Sequence, residues 1–144
     1  MIQANDLRIG NYIDYAGEIV QVDGVRPPIL KEKEYRVYFK DGRAKSDFLN
    51  YIPITEEWLL KFGFKPDSYS GSQGSISCYR KKINDFIGAY KHIELIGECS
   101  ISVFYFQCNT KGVWNSGVVV ESIHELQNLF FVLTGEELTV NEAT

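Results

Sequence analysis

Residues 53–64, PITEEWLLKFGF, write both ends of one short helix and thereby divide the chain. Thr55 is an N-cap residue, whose side-chain oxygen takes one of the backbone N–H groups that a helix start leaves unpaired. Glu56 and Glu57 set negative charge at the positive end of the helix dipole. Ile54 and Leu59 stand at the spacing of a hydrophobic staple. Gly63 falls where a left-handed residue is wanted, and Phe64 is placed to touch Leu59, the pattern of a Schellman stop. A helix bounded at both ends cannot extend either way. The predicted boundary lies just before it, giving one subdomain at 1–53 and a second at 54–144.

Residues 1–53 read as short strands joined by tight turns. In NYIDYAGEIVQVDGV (11–25) two β-rich runs flank Ala16-Gly17. Val20 and Val22 alternate with Gln21 and Asp23, as on a half-buried strand. YRVYFKDGRAKSDF (35–48) alternates more cleanly, with Tyr35, Val37 and Phe39 on one face and Arg36, Tyr38 and Lys40 on the other. Asp41-Gly42 predicts a type I′ hairpin turn, which needs residues that accept positive φ. Between the hairpins, RPPILKEKE (26–34) combines Pro27-Pro28 with alternating charge and predicts an exposed loop. Several short strands, tight turns and one longer loop predict a small SH3-like β-barrel.

The remainder predicts an antiparallel sheet packed by a C-terminal helix, so the whole is of α+β class. Strands are expected at 76–81, 91–96, 100–107 and 117–121, with turns at Gly97-Glu98 and Asn115-Ser116-Gly117. Both alternating sets of ISVFYF (101–106) are apolar, so that strand is expected to be central. PDSYSGSQGSIS (66–77) is small and polar and reads as a mobile, solvated loop. It has no Gly-Lys-Ser/Thr, which excludes a phosphate loop.

The closing helix begins in ESIHELQNLF (121–130), where Ser122 and Glu125 form a capping box, and it ends at Gly135. Ile123, Leu126, Leu129, Phe130, Phe131 and Leu133 make one wide apolar stripe. His124-Glu125 begins the zinc-protease motif His-Glu-x-x-His, but Asn128 stands where the second histidine belongs. His92 is the other histidine of the chain, and the cysteine spacing suggests no third ligand. No metal and no other cofactor is expected, and His124 reads as a polar surface group at the helix edge. Gln127 is different, because it lies inside the apolar stripe between Ile123 and Phe131. An unpaired amide there would cost about 1–3 kcal/mol. Gln127 is therefore expected as a satisfied core amide at a sheet edge; the alternative, an interface residue, keeps it among the interaction candidates.

Charge and composition narrow the function classes. The net charge of −4 falls entirely on residues 54–144, since residues 1–53 carry eight basic and eight acidic groups. That is not the footprint of a dedicated nucleic-acid binder. Cys78, Cys99 and Cys108 are odd in number and lack a C-x₂-C pair, so they are expected to be reduced and packed as small hydrophobes. The start of the chain, with Gln3, Asn5, Asp6 and Arg8, lacks a signal-peptide core, and a cytoplasmic location is expected. The run Leu129–Leu133 is far shorter than the ~18–20 residues of a membrane helix, so no membrane partner is expected. No G-x-S-x-G elbow is present, and Glu56 and Glu57 diverge by about 100° on their helix, so no catalytic residues are nominated.

Basic and aromatic residues interleave in two places: Tyr38, Lys40, Arg43 and Lys45 on the barrel, and Tyr79, Arg80, Lys81 and Lys82 further on. Exposed aromatic surface suits an unidentified protein partner, which is the first expectation. Stacked bases and contacted phosphates would suit nucleic acid, which is the second. The bland reading of both is a solvated strand edge, where lysine also guards against aggregation.

Three segments, NDLRIGNYI (5–13), PITEEWLLKFGF (53–64) and IHELQNLFFVLTGEEL (123–138), together resemble a family of small uncharacterised proteins of Bacteroides-type gut bacteria, their prophages and mobile elements. Members are similar in opening on an L-R-I/V-G-N-x-V strand. They carry P-I-P-L-T-E-E-W-L-x-K-F-G-F in the middle and close on H-x-L-Q-N-L-Y-F-A-L-T-G-E-E-L. This chain departs in having PIT for PIPLT and Phe130-Phe131 for Tyr-Phe. The resemblance spans nearly the whole chain and implies a cytoplasmic accessory protein of phage or mobile-element origin. It carries no activity and no catalytic residues. The expectation is a non-catalytic protein-interaction module, with nucleic-acid binding as the alternative.

Overall fold

Ala16 and Gly17 both adopt positive φ, 54° and 86°, and fold the first two strands back on each other. These are β1 (Tyr12–Tyr15) and β2 (Glu18–Arg26), paired antiparallel with Tyr15 opposite Glu18. A two-residue loop with both φ values positive is the geometry that matches strand twist. The Asp14 carboxylate accepts a hydrogen bond from the Gly17 N–H at 2.8 Å and holds the turn.

The computed structural model describes residues 2–71, 74–82, 90–96, 104–110, 113–115 and 119–141. The chain is α+β, with a curled antiparallel sheet and a C-terminal helix. It forms two compact units, Met1–Pro53 with Ser122–Glu137, and Ile54–Glu121 with Leu138–Thr144. No helix among the described residues is long and apolar enough to cross a membrane.

In the first unit, β3 (Arg36–Phe39) and β4 (Gly42–Lys45) form the second hairpin, and β5 (Leu49–Asn50) completes a five-stranded sheet of order β4-β3-β2-β1-β5. Phe39 pairs with Gly42, so the loop residues are Lys40 and Asp41, and neither has positive φ. The type I′ turn expected at Asp41-Gly42 is thus corrected. Gly42 opens β4 instead, beneath the Phe39 ring, where a Cβ would stand 3.1 Å from the ring. Alternation sends Ile13, Val22, Val37, Ala44 and Leu49 inward to meet Ile2 and Leu7, with Tyr15, Val20, Val25 and Phe39 closing around them. A register shift between Val22 and Gly24 bulges β2 at Asp23 and bends the sheet.

The C-terminal helix α2 (Ile123–Thr134) belongs to this unit. The sequence placed it in the 54–144 subdomain as cover for the later sheet; its polar residues instead bond to β1 and the segment before it. The expected caps are present. The Ser122 N–H donates to Glu125 at 3.2 Å, and Gly135 at φ 74° donates to the Phe131 carbonyl at 2.8 Å. Ile123 donates to the Ile52 carbonyl at 2.9 Å, anchoring the helix start.

In the second unit, α1 (Glu56–Lys61) follows the expected plan. Thr55 caps it by accepting from the Trp58 N–H at 3.4 Å, and Ile54 and Leu59 are both buried. Gly63 at φ 83° donates to the Leu60 carbonyl and Phe64 to the Leu59 carbonyl, the two bonds of a Schellman stop. The sheet contains β6 (Lys65–Gly71), β7 (Gly74–Lys82), β8 (Tyr90–Ile96), β9 (Phe104–Thr110) and β10 (Val113–Asn115) in the order β10-β9-β8-β7-β6, with β11 (Val119–Val120) also on β9. Residues 66–71 and 74–77 are therefore strand and not loop. Ser68 pairs with Ser77 and Gly71 with Gly74 in a long antiparallel ladder, because backbone pairing to a neighbouring strand overrides the turn preference of small polar side chains. The described part of the 100–107 strand, β9, is interior as expected, with β8 on one side and β10 and β11 on the other. Residues 100–103, Cys99 and the turn at Gly97-Glu98 lie outside the described residues, as do Ser116 and Gly117 of the expected second turn.

Candidate interaction face of the N-terminal sheet

Two polar regions of the first unit compete for a functional reading, and burial separates them. The first is the seam between α2 and β1. Gln127 is 1% exposed, accepts from the Tyr12 N–H at 2.8 Å and donates to the Gly10 carbonyl at 3.0 Å. Beside it, the Asn128 oxygen accepts from Asn11 Nδ2 at 2.9 Å and from Arg8 at 3.3 Å, while its amide donates to the Asp6 carbonyl at 2.6 Å. Asn11 accepts in turn from the Arg8 N–H at 2.7 Å. The Arg8 guanidinium lies 3.9 Å from the centre of the Phe131 ring and pairs with Glu137. Gln127 is thus the satisfied core amide at a strand, and its place among interaction candidates is corrected.

His124 is also corrected. It is 5% exposed, not a surface group, and its Nδ1 lies 3.1 Å from Ser122 Oγ. Burial pushes its pKa below the usual histidine value, opposed by the nearby Glu125 and Asp6 carboxylates. The helical wheel set it beside the apolar stripe, and the helix is covered over a wider arc than that stripe.

The second region is the outward face of β2, β3 and β4. Alternation that buries Val37 and Ala44 must turn Tyr38, Arg43, Arg36 and Lys45 outward. Register then gathers them: Tyr38 lies opposite Arg43 and beside Gly24, and Arg36 lies between Arg26 and Lys45. The missing side chain at Gly24 leaves the Tyr38 stem open on that side, where a Cβ would sit 3.8 Å away. The Arg26 guanidinium, hydrogen-bonded to Tyr38, holds its phenol below the usual tyrosine range, and Arg43 adds to this. Lys40 is exposed at the hairpin tip. The structure therefore brings together Tyr38, Arg43 and Lys45 of the expected group and adds Arg26 and Arg36, which strand alternation alone could have nominated.

Residues 27–35 arch beside this face. Glu32 bridges two arginines, 2.9 Å from Arg26 and 3.7 Å from Arg36, and Glu34 lies 3.9 Å from Lys45. Hydrogen bonding to Arg26 holds the Glu32 carboxyl below the usual carboxylate range. Leu30 is 100% exposed at φ 55°, a conformation L-residues avoid, and Ile29 is 51% exposed. Together with Arg36 and Lys45 the loop encloses an open cleft of about 920 Å³.

The second expected group lies on β7. β7 is an interior strand, with Tyr79 between Pro66 and Leu95 and Arg80 between Lys65 and Glu94, so it is not a strand edge; Lys82 pairs in register with His92. Tyr79 is half-buried. Lys81 donates from Nζ to the Phe62 carbonyl at 2.6 Å, where it closes the C-terminus of α1. No family model, curated protein or solved structure matches the chain.

Proposed function

We propose that this chain is a non-catalytic protein-interaction module of cytoplasmic, phage- or mobile-element origin, in which an N-terminal SH3-like barrel presents the outward face of β2–β4 and the 27–35 loop to a protein partner. The observation that carries the reading is Leu30, a fully exposed leucine held at positive φ at the mouth of a cleft beside half-exposed Ile29. Backbone strain of this kind is usually retained where it serves a site. Large apolar side chains placed at a loop tip, rimmed by charge, suit a partner that buries them.

Nucleic acid is the second reading, and Arg26, Arg36, Arg43 and Lys45 around Tyr38 favour it. The two part on salt and nuclease. The test is capture from source-organism lysate on the immobilised chain and on an Ile29→Ser/Leu30→Ser variant, with nuclease, at low and high salt. Capture of the same protein by the native chain at both salts, lost in the variant, is the expected result. Recovery of nucleic acid that disappears at high salt would overturn it, since phosphate contacts weaken steeply as salt rises.

A further inference from the structure

Resting on that reading, we infer that the cleft beside the 27–35 loop takes an acidic polypeptide segment carrying an apolar side chain, and that Glu32 and Glu34 occupy in the free protein the places of the partner's carboxylates. The loop itself shows which chemistry the cations accept. A single carboxylate, Glu32, spans Arg26 and Arg36 from its two oxygens, and a second, Glu34, approaches Lys45. Paired guanidinium groups suit a planar carboxylate. The internal pairs lie partly exposed at the surface and are therefore weak. Side chains of Arg26, Glu32, Arg36 and Glu34 are 29–33% accessible, and Lys45 is 44% accessible at 3.9 Å from its partner. Exposed ion pairs hold little free energy and exchange readily for an equivalent partner.

The charge balance selects the same class. The loop adds Lys31 and Lys33, which form no salt bridge among the described residues, so four cations line the cleft against the two glutamates. The chain as a whole is acidic, at −4, so this is a local basic site on a molecule that repels anions elsewhere. That arrangement steers an acidic segment to one place and orients it there. The apolar requirement comes from Leu30 and Ile29, which offer contact area at the same mouth. Nucleic acid fits less well. Leu30 and Ile29 give bases no ring to stack on, and the overall charge opposes a long phosphate chain.

The test is fluorescence anisotropy of labelled probes on the full chain: a short peptide alternating Glu and Leu, its Gln/Leu and Glu/Ser counterparts, and a single-stranded oligonucleotide. The expected result is that the Glu/Leu peptide binds and the other three do not. The E32Q/E34Q variant should bind it roughly two- to fivefold more tightly, the range expected when exposed competing ion pairs are removed. R36E/K45E should abolish binding while its amide spectrum stays folded. Equal binding of the Gln/Leu peptide, weaker binding by E32Q/E34Q, preference for the oligonucleotide, or no peptide binding would each overturn the inference. Lysate capture that still depends on Ile29 and Leu30 would leave the interaction module standing in those cases; loss of both would remove the module as well.

Discussion

The seam between α2 and β1 and the outward face of β2–β4 are built from similar polar residues and differ in what those residues bond to. At the seam, amide side chains reach backbone groups: Gln127 serves Tyr12 and Gly10, and Asn128 serves Asp6. On the hairpin face, charged side chains reach one another directly at the surface, as Glu32 does to Arg26 and Arg36. A backbone partner is fixed by the fold, so losing the side chain leaves an orphan. A solvated side-chain partner turns to water or to a ligand. The first arrangement stabilises the unit, and the second is free to bind.

The largest effect that could break this contrast is Gln127→Leu. It keeps the apolar stripe but removes the acceptor facing the Tyr12 N–H and one of the two donors to the Gly10 carbonyl, and should cost about 2–3 kcal/mol. Trp58 and Trp114 both belong to the other unit, so tryptophan fluorescence is a poor probe of this loss. Hydrogen exchange at the Ile13 and Val22 amides reports it directly. Unchanged protection would mean that Gln127 is replaceable, and that the seam is no more structural than the hairpin.

Next in size is the Asn11–Asn128 pair. Either alanine substitution should cost about 1–2 kcal/mol, and the double variant less than the sum, because each single change already removes the bond the two amides share. Strict additivity in urea titration of the four proteins would show that the two amides act independently.

A subtler probe of the seam is pH. Burial lowers the folded-state pKa of His124, with Glu125 and Asp6 facing it and acting against that shift. The unfolded chain then binds a proton more readily than the folded one. Stability should be full above the unfolded value near 6.5, decline as pH falls below it, and level off below the folded pKa. His124→Gln should flatten that decline. A slope that persists in the variant would assign the pH response to other groups.

These residues also mark what could be read from the chain alone. Both caps of α1 and of α2 were legible, because capping is local: Thr55, Gly63, Ser122, Glu125 and Gly135 act on backbone within a few residues. Gln127 was legible as an anomaly, since one amide in an apolar stripe demands a partner, although that partner stands 115 residues away. Its location was not legible. Assigning α2 to the nearer sheet followed chain proximity, whereas the helix answers to Gly10, Asn11 and Tyr12 at the other end of the sequence. The strands at 66–71 and 74–77 were missed for the opposite reason. Their serines and glycines carry no strand preference, and only pairing across β6 and β7 defines them. The candidate face was half visible: Tyr38, Arg43 and Lys45 were read from the sequence, and alternation could have added Arg26 and Arg36, whose places beside them register defines.

The smallest expected effect is the most discriminating. Glu32→Gln removes the charge that bridges Arg26 and Arg36, yet its amide oxygen can still accept from the Ile29 N–H, and both guanidinium groups keep access to water. Its urea midpoint should match that of the native chain within error, even at low salt where surface charge interactions are strongest. A clear loss would mean that the 27–35 loop depends on Glu32 as the seam depends on Gln127. The two regions would then be one kind of structure. A variant that folds as well as the native chain, with its arginines no longer bridged, keeps them distinct: buried amides bonded to backbone serve the fold, and charges paired at the surface remain open to a partner.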